Sequence, residues 1–313
     1  MKTLIVGTGI IGVTWGWALS TAGIDVTHLV RPGNKDKLKN GVTLELRDGR
    51  KSHKKDNIVK YNLKCVESIA PADHYDLIIV SVYFNKVAAV LDQFVPLSGD
   101  AIFLIFGGNW LGVEAIEKRL PKERYLIGFP FGGGVKRDDI YWTYLGAKIY
   151  LGEADGRTTE KLQRVKSLFA QADIQSDIPD NILHLIWAGH AVAVGGLSGL
   201  VQAGNVDSYL SNRALMTEGY YITKEVFELC RLLGCSPYKY PDTTALFKLP
   251  PWLYTIASPL YCNKVDPGLK RIFAHIAASS DTKETAEQML ETAKELKFDM
   301  PRLTAAMEHL KVE

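Results

Sequence analysis

Six residues near the start constrain this chain more than any others. Gly7-Thr8-Gly9-Ile10-Ile11-Gly12 follows an apolar run at residues 4–6 and opens a helical pattern that ends near Ala22. The three glycines have separate tasks: the first makes a tight turn out of a strand, the second lets the backbone approach a diphosphate, and the third lets helix and strand pack closely. Unpaired N–H groups at such a helix start favour an anion. Gly23 and a second strand pattern at 26–30 complete a βαβ unit, which commits the N-terminal part to a parallel sheet.

The following residues extend that plan. Residues 41–46 alternate apolar and polar through Val42, Leu44 and Leu46 and reach a turn at Asp48-Gly49. This predicts a hairpin with a basic, solvated tip of Arg50, Lys51, Lys54 and Lys55. Residues 75–82 and 101–106 are short and almost continuously apolar, as strands buried on both faces are. Helical patterns at 85–94, 112–120 and 159–172 and a strand at 149–152 fill the intervals. Strands alternating with helices predict an α/β fold, a Rossmann-type doubly wound parallel sheet. From residue 180 the pattern is helical almost throughout, at 181–203, 211–233, 264–278, 282–296 and 303–311, with a proline-rich, irregular stretch at 236–267 between. A length of 313 residues suits two cores. The expected domains are therefore 1–179, binding the nucleotide, and 180–313, an all-α domain for substrate and dimerisation.

Charge narrows the partners. Lys and Arg number 37 against 35 Asp and Glu, which creates no field that would gather nucleic acid or an anionic membrane. A small molecule is expected instead. Four scattered cysteines without a C-x-x-C pair give neither a disulfide scaffold nor a thiolate metal site. A reducing cytoplasm fits, and the first strand begins too early to leave room for a leader. Residues 182–206 carry no Asp, Glu, Lys or Arg over a length that spans a bilayer, yet they hold His184, His190, Gln202, Asn205 and five glycines. They read as a buried core helix and not as a membrane span.

The cofactor follows from the end of the second strand, where enzymes selecting NAD place an acidic residue for the ribose 2′-hydroxyl. Arg31 stands there, with no carboxylate in sequence until Asp36 and with Lys35 and Lys37 adding positive charge. A guanidinium pairs with a 2′-phosphate and stacks on adenine, so NADP(H) is expected. The alternative is an ordinary solvated arginine. Open α/β sheets bind ligands at the C-terminal ends of their strands. The candidate cofactor set is accordingly Gly7, Thr8, Gly9, Ile10, Ile11, Gly12 and Arg31, with Ser81, Gly107 and Gly108 from the later strand ends.

These residues carry a resemblance. The opening KTLIVGTGIIG, Arg31, the GVTLELRDG hairpin, YDLIIVSVYFNKV, IYLGEADG, the Trp187 helix and Pro301 together resemble the ketopantoate reductases. The resemblance implies an NADPH-dependent reduction of a 2-oxo acid, with a Rossmann domain, a helical domain and hydride transfer in the cleft between them. It also implies a W-x-K on the helix after the boundary, whose lysine is the catalytic donor, and asparagines one and two helical steps beyond. This chain has Gly189, Ala193 and Leu197 at those places, which share one helix face. The family's lysine after the fourth strand corresponds to Tyr83, with Lys86 a turn later. Its asparagine after the fifth strand corresponds to Gly107, with Asn109 nearby.

The neighbouring stripe of His190, Val194 and Ser198 retains polar groups. His190 is the candidate proton donor to a developing alkoxide, against the alternative of a hydrogen-bonded core histidine. The family's late glutamate corresponds to Asp281, with Glu284 as rival. Here the alternative is a capping box built from Ser280 or Asp281 and Glu284.

The leading expectation is an NADPH-dependent reductase of a 2-oxo acid or related small carbonyl. A non-catalytic NADP(H) sensor or scaffold, and a dehydrogenase of a sugar acid, amine or imine, are the alternatives. The apolar stretch 247–261 either lines the pocket or forms a dimer contact.

Overall fold

The computed structural model describes residues 1–50, 55–107 and 110–312. The chain divides into two compact units. The first holds Met1–Gly107 and Gly112–Ile182, and the second holds Leu183–Glu313 with Trp110 and Leu111.

The first unit is built on a single sheet. Its strands are β1 (Thr3–Val6), β2 (Val26–Leu29), β3 (Val42–Asp48), β4 (Asp56–Tyr61), β5 (Cys65–Val66), β6 (Leu77–Val80), β7 (Ile102–Phe106), β8 (Tyr125–Arg137), β9 (Ile140–Gly152) and β10 (Gln175–Asp177). They lie in the order β4-β3-β9-β8-β7-β6-β1-β2-β5, with β10 beside β9. The run from β8 to β5 is parallel throughout. Antiparallel pairs join β8 to β9 and β3 to β4, so the sheet is mixed around a doubly wound parallel centre. Strands β6 and β7 are apolar at every position because both faces are covered: β6 is wholly buried, as are Leu4 and Ile5 of β1. Helix Ile10–Thr21 anchors one face through Trp15, set edge-on at 5.8 Å to both Phe106 and Phe169.

Several expectations need correction. The long β8–β9 hairpin covers a region in which only 149–152 reads as strand. Gly132, Gly134 and Gly146 lie where strands cross closely: a Cβ on Gly132 would lie 2.5 Å from the Tyr144 carbonyl oxygen. The hairpin tip is not uniformly solvated. Arg50 folds back, pairs with Asp48 at 2.9 Å, donates to the Ala172 carbonyl and covers the Trp17 ring. Lys55 is exposed, whereas Lys51 and Lys54 lie outside the described residues. The helix expected over 112–120 is only Glu114–Glu117.

The second unit is all helical among its described residues. Its main helices are Ile182–Ala203, Arg213–Leu232, Pro251–Leu260, Leu269–Ala278, Ser280–Glu295 and Pro301–Val312. The stretch expected to be irregular contains Pro241–Thr244, Pro251–Leu260 and a π-helical turn, Tyr261–Val265. Pro241 and Pro251 begin their helices, where the missing N–H has no partner to lose. Among the described residues, Ile182–Ala203 is the one helix long and apolar enough to cross a membrane, and half of its most apolar window is buried. Its glycines allow close packing: a Cβ on Gly195 would collide with the Thr223 hydroxyl of helix Arg213–Leu232.

Candidate functional site

Strand register creates the site. Val6 pairs with Leu29 on one side and with Val80 on the other, and Val80 pairs with Ile105. The C-terminal ends of β2, β1, β6 and β7 therefore form one even edge. Beyond it stand Arg31, Gly7, Ser81 and Gly107. The chain leaves β1 for β2 on one side, and β6 lies on the other, so a crevice opens at this switch point.

The three glycines divide as their tasks require. Gly7 has φ +109°, and a side chain on it would run into the Ser81 carbonyl. One on Gly12 would run into the Gly7 carbonyl. A Cβ on Gly9 meets nothing within 4 Å. Packing thus dictates Gly7 and Gly12, whereas Gly9 borders open space. Gly9 is also the N-cap of helix Ile10–Thr21, which has no side-chain cap bond and no acidic residue in its first turn. An uncapped helix start beside open space leaves main-chain N–H groups able to take an anion such as a diphosphate.

The loop is held from behind by β9. The Tyr141 hydroxyl donates to the Thr8 carbonyl at 3.2 Å, and the Thr14 and Thr143 hydroxyls meet at 2.8 Å. Burial pushes the Tyr141 phenol up, with Asp139 adding to the effect, so it remains a donor. Neither contact is read from the glycine motif. The available signal was the aromatic and β-branched run at 140–145, which marks a strand.

Arg31 is exposed, and its carbonyl accepts the Asn34 N–H at 3.0 Å. The amides of Gly33 and Lys35 donate to Glu67 at 2.8 and 3.2 Å. A carboxylate therefore does approach this turn, from the end of β5, and both backbone amides bond to its Oε1. No local spacing announces Glu67, because β5 reaches β2 only by sheet pairing. Tyr83 is 48% exposed and forms the N-cap of helix Phe84–Phe94 without a cap bond from its side chain. Ile10 and Ile11 are half-buried, and Gly107 has φ +126°. Gly108 and Asn109 lie outside the described residues.

His190 and Asp281 belong to the second unit. His190 is half-buried on helix Ile182–Ala203. Trp187, one turn earlier, packs on Trp110 at 5.4 Å and on His184 at 5.2 Å. Burial, and secondarily Lys239, lower the His184 pKa. Gly189 and Ala193 are half-buried, and Leu197 is buried. Asp281 is half-buried in the first turn of Ser280–Glu295, which begins one residue earlier than a capping box at Ser280 requires. The N-cap is Ser279, with no side-chain cap bond, and Glu284 accepts from Gln288 at 3.4 Å. Among the described residues no cluster of three His, Cys, Asp or Glu could hold a metal.

Residues 3–156 match the model of the family described as ketopantoate reductase PanE/ApbA. An uncharacterised oxidoreductase of Bacillus subtilis (strain 168), YkpB, is 24% identical over 207 residues, spanning 64% of this chain and just under two thirds, 66%, of that protein. Solved structures extend the likeness over nearly the whole chain. D-mandelate dehydrogenase in ternary complex with NADH and anilino(oxo)acetate matches with a TM-score of 0.73 at 16% identity, over 98% of this chain and 96% of that one. The 2-dehydropantoate 2-reductase from Geobacter metallireducens matches at 0.71 and 17%, over 99% and 100%. The dimeric ketopantoate reductase from Staphylococcus aureus matches at 0.64 and 14%, over 100% of each. At such identities the shared property is the fold, a mixed α/β N-terminal sheet followed by a helical region. The sequence likeness to the ketopantoate reductase PanE/ApbA family is thus carried by residues 3–156, just under half of the chain, and the remainder shares the fold of those enzymes.

Proposed function

We propose that the protein is an NADPH-dependent reductase of a 2-oxo acid or a related small carbonyl compound. The observation that carries this reading is the uncapped helix start at Gly9 beside open space, on the switch-point edge. The amides from Gly9 to Gly12 hold the diphosphate, and the Arg31 guanidinium takes the 2′-phosphate while Glu67 keeps its turn in shape. Ser81, Tyr83 and Gly107 stand on the same edge and bound the nicotinamide end. NADPH supplies the hydride when bound.

His190 gives a proton from its imidazole to the product oxygen, and Asp281 serves as a positioning residue. Residues 1–179 act as the dinucleotide domain and 180–313 as the substrate domain, in the cytoplasm. The family's lysine position is Gly189, and Ala193 and Leu197 continue the same apolar face, which favours a substrate other than ketopantoate. The anilino(oxo)acetate held by the mandelate dehydrogenase relative supports a substituted oxo acid as the class.

Two measurements test this reading. Calorimetric titration should show NADPH binding more tightly than NADH, with the preference lost in Arg31→Ala. Tighter NADH binding in the unaltered protein overturns the Arg31 assignment. NADPH oxidation across a panel of 2-oxo acids should find a substrate, and His190→Ala should abolish turnover while NADPH still binds. Saturable NADPH binding with no turnover on any substrate would mark a sensor, the reading favoured by Gly189 in place of the lysine.

A further inference from the structure

Helix Arg213–Leu232 ends in a turn that brings two cysteines together. Leu233 closes the helix, and Gly234 follows with φ +81°, the left-handed conformation that glycine adopts most readily. The Gly234 amide donates to the Arg231 carbonyl at 3.0 Å, and the Cys235 amide donates to the Cys230 carbonyl at 2.9 Å. These two bonds reverse the chain. They set the residue after the glycine against the one three before the cap, where two apolar side chains ordinarily meet. Here both positions are cysteine. The 2.9 Å bond between their main chains keeps the two Cα atoms at most about 6.8 Å apart, which is within the reach of a disulfide.

The two buried thiols also act on each other. The bond between their side chains draws the Cys235 thiol down against the effect of burial and, together with burial, pushes the Cys230 thiol up. Cys235 is therefore the one that ionises first and attacks. Its S–H donates to the His184 carbonyl at 3.5 Å, which ties the turn to helix Ile182–Ala203. Around the pair the chain is open: Arg231, Leu232, Gly234 and Ser236 are exposed. Fraying of one terminal turn, and not unfolding of the unit, presents Cys235 to solvent. Cys262 is equally buried but has Ser258 and Asp266 for neighbours, and Cys65 belongs to the first unit.

We propose that Cys230 and Cys235 are a redox modification site, a reversible disulfide closed by a small disulfide of the glutathione class and opened by thiols. The Cys235 thiolate attacks one sulfur of the small disulfide, whose S–S bond breaks and releases a first thiolate. The Cys230 thiol gives that thiolate its proton, and its sulfur attacks Cys235, breaking the mixed disulfide and releasing the second small thiolate, which takes up the proton that Cys235 gave to water. Two protein thiols are oxidised and one small disulfide is reduced to two thiols. Closure fixes the last turn of helix Arg213–Leu232 and takes the S–H donor from the His184 carbonyl, so the state of the pair reaches the helix that carries Trp187 and His190. The site asks nothing of the dinucleotide loop, so it stands or falls separately from the reductase reading.

Trypsin reads the bond directly. It cuts after Lys224, Arg231 and Lys239, which places the two cysteines on separate peptides, 225–231 and 232–239. The folded full-length protein is treated with millimolar oxidised glutathione at neutral pH, its remaining thiols are blocked, and it is digested without reductant. The two peptides should appear joined, lighter by two hydrogens than their sum, with Cys262 still a blocked thiol. Dithiothreitol added to the folded protein should restore both thiols. Cys230→Ser should instead retain one glutathione on peptide 232–239. The unaltered protein decides the matter even where that variant does not fold. Unjoined peptides, Cys235 joined to Cys65 or Cys262, a pair that joins only in urea, or a bond that dithiothreitol opens only after unfolding overturns the proposal.

Discussion

A buried histidine in the first unit should make its stability fall as pH drops below neutrality. His28 on β2 is fully buried, with the imidazole Nε2 3.0 Å from the Tyr61 hydroxyl, which lies 2.9 Å from the Ser20 hydroxyl. Its Nδ1 finds no hydrogen-bond partner among the described residues. Helix Ile10–Thr21 lies so close that a Cβ on Gly16 would sit 2.5 Å from the ring. Burial without a counter-charge lowers the pKa from 6.5 to about 4. The unfolded chain takes up a proton near pH 6.5 while the folded chain refuses it until about pH 4. Stability contributed by the neutral ring is therefore complete above pH 6.5 and is lost as pH falls through that window.

The loss works out at about 0.8 kcal/mol at pH 6, about 2 kcal/mol at pH 5 and a limit of about 3 kcal/mol below pH 4. Urea unfolding at pH 7.5 and pH 5, followed by tryptophan fluorescence, measures it against His28→Gln. The glutamine amide still reaches Tyr61 but cannot take a proton, so the other titrating groups cancel in the comparison. The unaltered protein should lose about 2 kcal/mol more than the variant between these two pH values. Parallel losses in the two proteins would refute the reasoning.

The glycine loop yields a paired test. Gly9→Ala should leave the melting temperature within a degree or two, since its Cβ meets nothing within 4 Å, yet raise the dinucleotide dissociation constant at least tenfold by filling the cradle. Gly12→Ala should damage both, because its Cβ collides with the Gly7 carbonyl, at a cost of about 1–3 kcal/mol in a melting experiment. Retained tight binding in Gly9→Ala would locate the diphosphate elsewhere. Tyr141→Phe removes one hydrogen bond to the Thr8 carbonyl, worth about 1 kcal/mol, so titration should show NADPH binding weakened about fivefold with its preference over NADH unchanged.

Local pattern carried much of the fold. The glycine turn of the βαβ start, the alternation of β3, the continuous apolar runs of β6 and β7 and the helical spacing of the second unit are all local features that a sequence displays directly. Failures came where local signals pointed away from the tertiary solution. Most of β8 and β9 drew no strand expectation, because their glycines and proline interrupt any apolar alternation and nothing in the sequence says that another strand crosses there. Arg50 reads as a solvated charge because its partners, Asp48, Ala172 and Trp17, meet it only after folding.

The same division runs through the candidate site. By itself the sequence determined the glycine loop, because one turn, one close approach and one tight helix contact all involve near neighbours in the chain. It also determined that Arg31 ends the second strand. Only the tertiary structure decided that Glu67 braces the Arg31 turn, that Tyr141 and Thr143 clamp the loop and that Trp252 of helix Pro251–Leu260 faces water. Those facts depend on which distant strands pair and which side of a helix finds the core. Sheet pairing and helix docking are long-range choices made by burial, and a sequence window does not contain the surfaces that compete for it.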